Sequence, residues 1–378
     1  MMIIAIIGGG VVGLNCALEL SHKRPNDEIF VLEAEPYLGT HTSTRNSEVI
    51  HAGFAYLPKS LKTELCIEGA RLSYELLGHL NVPCKRCGKW IVAFTPKEEE
   101  GLQLMLQNAS ECAVPGVIPK SPSDVADAMP WLKPVCAAAF SETSGVMDTS
   151  EYIAALDRAL SHMSSCHVLT SCAVKAIHDG RIETSRGEMK FDLLINSAGL
   201  FADDIYRMAS GKRKFEIKPF KGEYYIWRKG PFEGLIYPVP DRFVSNSPLP
   251  LRERVGERGA GDATLVSSMG IHLHRSIGGD RCIGPSQMER PKDKKTDYRI
   301  ETPPEIFAQG AGRYLNVSPD PSELEPAQAG NRPKLFEDGK PVGDFVIFKE
   351  GSIIHLLGIE SPGLTAAPAI ARKVAAML

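Results

Sequence analysis

The stretch Ser43 to Tyr56, STRNSEVIHAGFAY, sets an arginine, an asparagine, two serines and a histidine in an otherwise small or apolar segment. Just upstream, Gly8, Gly10 and Gly13 are spaced as GxGxxG, and Glu33 closes the next apolar run. Such glycines admit a pyrophosphate: Gly8 permits a tight turn, Gly10 lets backbone approach the phosphates, and Gly13 lets a helix close on a strand. Glu33 can accept from a ribose hydroxyl, and its charge disfavours a 2′-phosphate. Ser43, Thr44, Arg45, Asn46 and Ser47 can then run along an extended ligand, offering donors to its phosphates and ring edge. Histidine, with an unperturbed pKa of about 6.5, can take a proton near neutral pH, so His51 is a candidate base beside that ligand.

These residues need elements to position them. Met2 to Ile7 is a continuous apolar run, as expected of a parallel strand buried on both faces. After the glycines, apolar residues recur at helical spacing until Pro25 stops them. EIFVLE then reads as a second strand ending on Glu33. Strand, helix and strand in register form the unit that presents a helix N-terminus to phosphate. The fingerprint does not separate NAD from FAD. The small, hydroxyl-rich passage from Ala34 to Tyr56, in place of a further βα unit, favours FAD.

Further along, Asp148 or Thr149 can cap a helix that turns Ile153, Leu156, Ala159 and Leu160 to a core. The alternating segments around Asp179 and Gly180 predict a hairpin that starts near Val174, where the backbone flanks an adenine in the folds that the blocks quoted below resemble. FDLLINSAG reads as a buried strand ending in Ala198 and Gly199, small enough to let backbone approach a dinucleotide. Ser352 to Leu378 reads as strand, glycine-proline loop and apolar helix. Gly358, Pro362, Gly363, Leu364 and Thr365 lie in that loop and helix start, whose amides can stabilise negative charge on a reduced flavin.

With 378 residues, 43% of them hydrophobic, the chain can bury the cores of two domains. Lysine plus arginine (43) nearly balance aspartate plus glutamate (46), which argues against nucleic acid and makes an acidic substrate depend on a local basic pocket. No run of about eighteen apolar residues exists to span a bilayer. The start MMIIAIIGGG lacks a basic region and a cleavage site, so a cytoplasmic protein is expected, with peripheral contact at the inner face of the membrane compatible with it. The nine cysteines do not suggest a disulfide framework. Cys84 and Cys87 form the only CxxC, without a second pair, so reduced thiols and no metal site are expected.

Several longer blocks carry a resemblance. RNSEVIHAGFAYLPKSLKTELCIEGARLSYELL, CGKWIVAF, INSAGLFADDI, PFKGEYY, IYPVPD, GIHLHRSIGG and GIESPGLTAAPAIA cover much of the chain. Together they resemble the L-2-hydroxyglutarate dehydrogenase family, within the larger D-amino-acid oxidase and glycine oxidase group of flavoproteins. The resemblance implies an FAD-dependent enzyme that oxidises a small 2-hydroxy dicarboxylic acid to the 2-oxo acid. Electrons would pass to a quinone or another acceptor that is not NAD. It also implies an α/β fold: a Rossmann-like FAD-binding domain built from discontinuous segments (1–81, 143–214, 342–378) and an α+β substrate domain centred on a mixed β-sheet (82–142, 215–341). Within the latter, 245–264 reads as a solvated, mobile insertion. One position departs from the family: Glu48 stands where glycine is usual, which puts the local geometry in doubt.

Oxidising a 2-hydroxy acid with a flavin removes a hydride from the α-carbon to flavin N5 and a proton from the hydroxyl. His51, in the family's VIHxG motif, and His272, in GIHLHR, are the candidate bases, in an order the sequence leaves open. Arg275 can offer a bidentate fork to a carboxylate. Lys221 stands where the family has a basic residue, and Tyr237 can donate from its hydroxyl. A glycine or sarcosine oxidase-like amine oxidase shares the expected fold, although VIHAG, IYPVPD and GIHLHR argue against it. A weakly active flavin-binding protein is the third reading.

Overall fold

Ile3–Ile7 carries no polar side chain, and it lies between two parallel partners, Glu28–Leu32 and Leu193–Asn196. The computed structural model describes residues 1–244 and 270–378, so the insertion expected at 245–264 falls outside the described residues. The sheet around Ile3–Ile7 has six strands in the order Val346–Glu350, Ile353–Leu357, Leu193–Asn196, Ile3–Ile7, Glu28–Leu32, Cys166–Leu169. All pair in parallel except Val346–Glu350, which runs antiparallel at the edge. Residues from three distant stretches therefore build one dinucleotide fold.

The crossover after the first strand is the helix Val11–Lys23, which ends at Arg24, the residue before Pro25. Its neighbour Thr149–Ser161 begins where Asp148 accepts from the Glu151 N–H, so Asp148 is the cap. The predicted hairpin forms from Val174–His178 and Arg181–Thr184, and a third strand, Gly187–Lys190, extends it. Two helices cover the other side of the site: Leu61–His79 and Gly363–Ala375. They approach closely at Gly69, where a Cβ would stand 2.4 Å from the Thr365 carbonyl oxygen.

A second sheet has ten strands, ordered Lys340–Pro341, Glu325–Glu337, Phe215–Ile226, Arg281–Gly284, His272–Arg275, Leu235–Pro238, Lys89–Ala93, Ala137–Ser141, Val117–Lys120, with Met288–Glu289 paired to Phe215–Ile226. It is mixed, because Leu235–Pro238 runs parallel to Lys89–Ala93 while its other pairings are antiparallel. Leu273 pairs with both Ile236 and Ile283, and all three pack into an apolar cluster with Phe307 and Leu315. Side chains alternate along a strand, so His272, His274 and Tyr237 turn to the opposite face. That face meets the segment after Glu33: a Cβ at Gly330 would lie 1.9 Å from the Arg45 carbonyl oxygen. Among the described residues no helix is long and apolar enough to cross a membrane.

Candidate active site

The glycine fingerprint is built for close approach. Gly8 has φ +108°, and a Cβ there would meet the Ser197 carbonyl oxygen at 2.6 Å; a Cβ at Gly13 would stand 2.1 Å from the Gly8 carbonyl oxygen. Neither position admits a side chain, and the turn lies directly against Ser197 and Ala198, ahead of Gly199. Gly10 precedes the helix without a side-chain cap, while the Val11 N–H donates to Ser43 Oγ at 2.9 Å. Glu33 accepts from the Gly9 N–H at 2.7 Å and the Glu35 N–H at 2.8 Å, one on each oxygen. Each oxygen keeps a lone pair for a ribose hydroxyl. Val174 and Ala198 pack on the cluster that holds Leu32 beneath this edge.

The loop from Thr40 to Glu48 organises itself. Thr44 Oγ1 donates to the Gly39 carbonyl, and Asn46 Nδ2 donates to the carbonyls of Thr42 and Ser43. Asn46 Oδ1 accepts from the Glu48 N–H. Arg45 Nε donates to the Thr40 carbonyl, and its guanidinium lies 4.1 Å from the ring centre of Tyr298. Side chains expected to reach the ligand thus fall into two groups. Ser43 is at the helix start, whereas the side chains of Thr44, Arg45 and Asn46 also hydrogen-bond within the loop. Their chemistry suits short local bonds, which the tight loop supplies first. Ser47 lies near the hydroxyls of Tyr224 and Tyr237, without a hydrogen bond to Tyr237.

Glu48 has φ +59°, the left-handed region that favours glycine. That accounts for glycine at this position in the family it resembles. Its carboxylate points toward a helix start, accepting from Thr149 Oγ1 at 3.2 Å, and burial raises its pKa.

Beyond the loop the two candidate bases meet. The His51 N–H donates to Thr365 Oγ1 at 3.0 Å, and Thr365 Oγ1 donates to the Val49 carbonyl at 3.4 Å. His51 is thereby fixed to the start of the helix Gly363–Ala375, beside Pro362, Gly363 and Leu364 and after the turn at Gly358. Burial, then the charge of Lys89, lowers the His51 pKa to about 3. His272 is buried, with Nε2 lacking a hydrogen-bond partner, and its ring stacks on Tyr237 with centroids 3.8 Å apart. Desolvation, followed by His274, holds its pKa well below the ordinary value, and His51 and Lys89 add to the effect. Both imidazoles are neutral at physiological pH and each can accept a proton. The Tyr237 hydroxyl is also buried, with no hydrogen-bond partner among the described residues. Orphaned polar atoms beside the glycine fold fit a site completed by a polar ligand and a cofactor.

A family model, FAD dependent oxidoreductase, matches residues 4–377. The chain belongs to this family. It is an enzyme, an FAD-dependent oxidoreductase, and FAD is its cofactor. The mitochondrial L-2-hydroxyglutarate dehydrogenase of Arabidopsis thaliana is 30% identical over 98% of this chain and 82% of its own length. The L-2-hydroxyglutarate dehydrogenase of Indibacter alkaliphilus is 27% identical over 98% of this chain and 97% of its own. Among solved structures, the dithionite-reduced L-α-glycerophosphate oxidase of Mycoplasma pneumoniae with FAD bound gives a TM-score of 0.80 over 100% of this chain and 95% of that chain. Its identity is 23%, so this likeness is one of fold.

In this flavoenzyme two expected substrate cations lie elsewhere. Lys221 is fully buried, with Glu223, Glu301 and Asp297 at 3.5, 3.6 and 3.9 Å and a bond to the Arg299 carbonyl. Arg275 is half-exposed, paired with Glu233 and donating to the Gly279 carbonyl. The reason is strand parity: Arg275 is an odd number of residues from His272, as Lys221 is from Tyr224, so each points away from the site face.

Two other cations lie on the site face. Arg332, in the register pair Phe220–Arg332, leans over Gly222, where a Cβ would stand 2.9 Å from Nη2. Its buried Nη1 has no hydrogen-bond partner among the described residues. Lys89 opens the strand Lys89–Ala93 and places its ammonium 4.9 Å from the ring centre of Tyr237. The signal in sequence was a charge at an inward position of the apolar strand KWIVA. Behind Arg332, Glu360 joins Lys62 and Lys334, each at 2.7 Å. Cys84 and Cys87 are free thiols, each with its pKa raised by burial.

Proposed function

We propose that the protein oxidises a small 2-hydroxy acid, L-2-hydroxyglutarate to 2-oxoglutarate being the favoured pair. The observation that carries this reading is the meeting of two neutral imidazoles, His272 on the sheet face and His51 on the loop held at Thr365, with the Arg332 guanidinium of that face, whose buried Nη1 has no hydrogen-bond partner among the described residues. The two relatives named L-2-hydroxyglutarate dehydrogenase support the choice of acid.

Arg332 receives the carboxylate beside the reacting carbon through a charge-assisted bond. His51 accepts the hydroxyl proton, because it is half-buried whereas His272 is buried. His272, pinned by Tyr237 and with Nδ1 3.3 Å from the Gly270 carbonyl, presents Nε2 as a second acceptor toward the substrate hydroxyl. Bound FAD supplies the acceptor for the two electrons that leave with the α-hydrogen. The glycine loop, Ser43 and Glu33 hold its pyrophosphate and ribose, and the Gly363–Thr365 amides lie where negative charge is welcome. The product is the 2-oxo acid, and the electrons pass on to a quinone or another non-NAD acceptor from a cytoplasmic position.

Anaerobic mixing of the purified flavoprotein with L-2-hydroxyglutarate tests the reading. Loss of the yellow flavin absorbance is the expected result. Bleaching by glycine or sarcosine in its place, or by no hydroxy acid at all, would reject it.

A further inference from the structure

Four lysines are buried among the described residues: Lys62, Lys89, Lys221 and Lys295. Three are matched by carboxylates. Lys62 is 2.7 Å from Glu360, Lys221 is 3.5 Å from Glu223, and Lys295 is 3.0 Å from Asp203. Lys89, with 4% of its surface exposed, has no carboxylate within ion-pair distance among the described residues. Its ammonium lies over aromatic faces, 4.9 Å from the centre of Tyr237 and 5.4 Å from that of Phe54. Ring faces attract a cation by about 1–2 kcal/mol. Desolvating an ammonium costs several kcal/mol, so the rings leave most of that cost unmet.

The position of the unmet charge narrows what answers it. Lys89 opens its strand on the side where Leu235 pairs with both Lys89 and His274. Its charge reaches His51 and His272, and Tyr237 lies between it and Arg332, whose charge acts on the Tyr237 hydroxyl. Two cations, the buried Lys89 and the half-buried Arg332, therefore share the face that carries His272, and a monocarboxylate can satisfy only one of them.

We propose that Lys89 receives a second carboxylate of the substrate, remote from the one at Arg332, and so selects dicarboxylic over monocarboxylic 2-hydroxy acids of equal chain length. The proposal rests on the 2-hydroxy-acid reading for the identity of the substrate and adds the residue that would read its far end. A Lys89 that took the hydroxyl proton instead would act on both kinds of acid alike.

The test uses unreactive acids, so that binding is read without turnover. Glutarate and pentanoate share a five-carbon chain and differ by one carboxylate. Titrated into the wild-type flavoprotein at neutral pH and followed by the visible flavin spectrum, glutarate is expected to bind on the order of 10- to 100-fold more tightly. In Lys89→Met the advantage collapses to a few-fold, with the loss falling on glutarate. Equal binding of the two acids to the wild type, which requires no variant, overturns the proposal. So does an equal loss for both in Lys89→Met that retains its flavin. A glutarate preference without bleaching by L-2-hydroxyglutarate would reject the proposed reaction and leave the role of Lys89 standing.

Discussion

The phenol of Tyr237 lies on the imidazole of His272 with ring centres 3.8 Å apart and planes 15° from parallel. Strand pairing holds the two in place, because Ile236 and Leu273, their neighbours in sequence, pair directly across the strands. The stack fixes the plane of His272 and aims its unpartnered Nε2. His51, by contrast, is held through its backbone, and among the described residues its side chain hydrogen-bonds with Ser361 Oγ, at 3.5 Å.

That difference separates the roles of the histidines. His51→Asn should slow flavin reduction about 10²–10⁴-fold, the range for loss of a general base. His272→Asn should cost less, about 10-fold, mainly in substrate affinity. Stopped-flow reduction of the two variants at equal flavin content distinguishes them, and the reverse order would exchange the assignments.

The pH profile follows from the two groups that flank the reaction. Burial lowers the Lys89 pKa to about 8, and the ammonium exists below that value. With the His51 pKa at about 3, the base is already neutral by pH 5. For a dicarboxylic substrate kcat/KM should therefore stay level from about pH 5 to 8 and fall about tenfold per unit above. Initial rates across that range check it; an increase above pH 8 would contradict the assignment.

Glu48 stores backbone strain where a glycine would store none. A left-handed non-glycine residue costs about 1–2 kcal/mol, and the bond to Thr149 returns part of it. Glu48→Gly should raise stability by about 1 kcal/mol or less. Thermal melts of the two proteins should show a Tm higher by about 1–2 °C in the variant.

Glu360 is the shared counter-ion of Lys62 and Lys334. Glu360→Gln leaves the buried Lys62 and the half-buried Lys334 ammonium groups facing a neutral amide and should cost about 3 kcal/mol in urea unfolding, most of it at Lys62. The lysines lower the Glu360 pKa from 4.5 to about 2 against the opposing effect of burial. Because the folded value is depressed, its stabilisation is present above pH 4.5 and disappears as pH falls through about 2. The wild type should lose stability across that window more steeply than the variant.

Where chemistry depended on neighbours in sequence, it was legible. Gly8, Gly13 and Glu33 belong to one contiguous strand, helix and strand, and Asp148 capped its helix three residues ahead. The hairpin at Asp179 and Gly180 needed only local alternation. Lys221 and Arg275 were misread because side-chain direction in a sheet depends on which face is covered. Once Leu273 is known to face Phe307, parity alone turns Arg275 away and His274 inward. Lys89 and Arg332 escaped notice for a different reason. A charge in the apolar run KWIVA hints at Lys89, but what marks both residues is the lack of a carboxylate partner among the described residues, a property of the assembled fold. Asn46 and Thr44 show the converse, since a loop with many small polar residues uses some of them on itself.

The bond from the His51 N–H to Thr365 joins positions 314 apart in sequence. Such separation sets a timetable for biosynthesis. A ribosome can have finished the phosphate loop and the base long before the helix that steadies them has been translated. Until then the nascent enzyme carries its chemistry as loose parts, and a transcript cut short upstream of codon 363 would yield polypeptide unable to ripen.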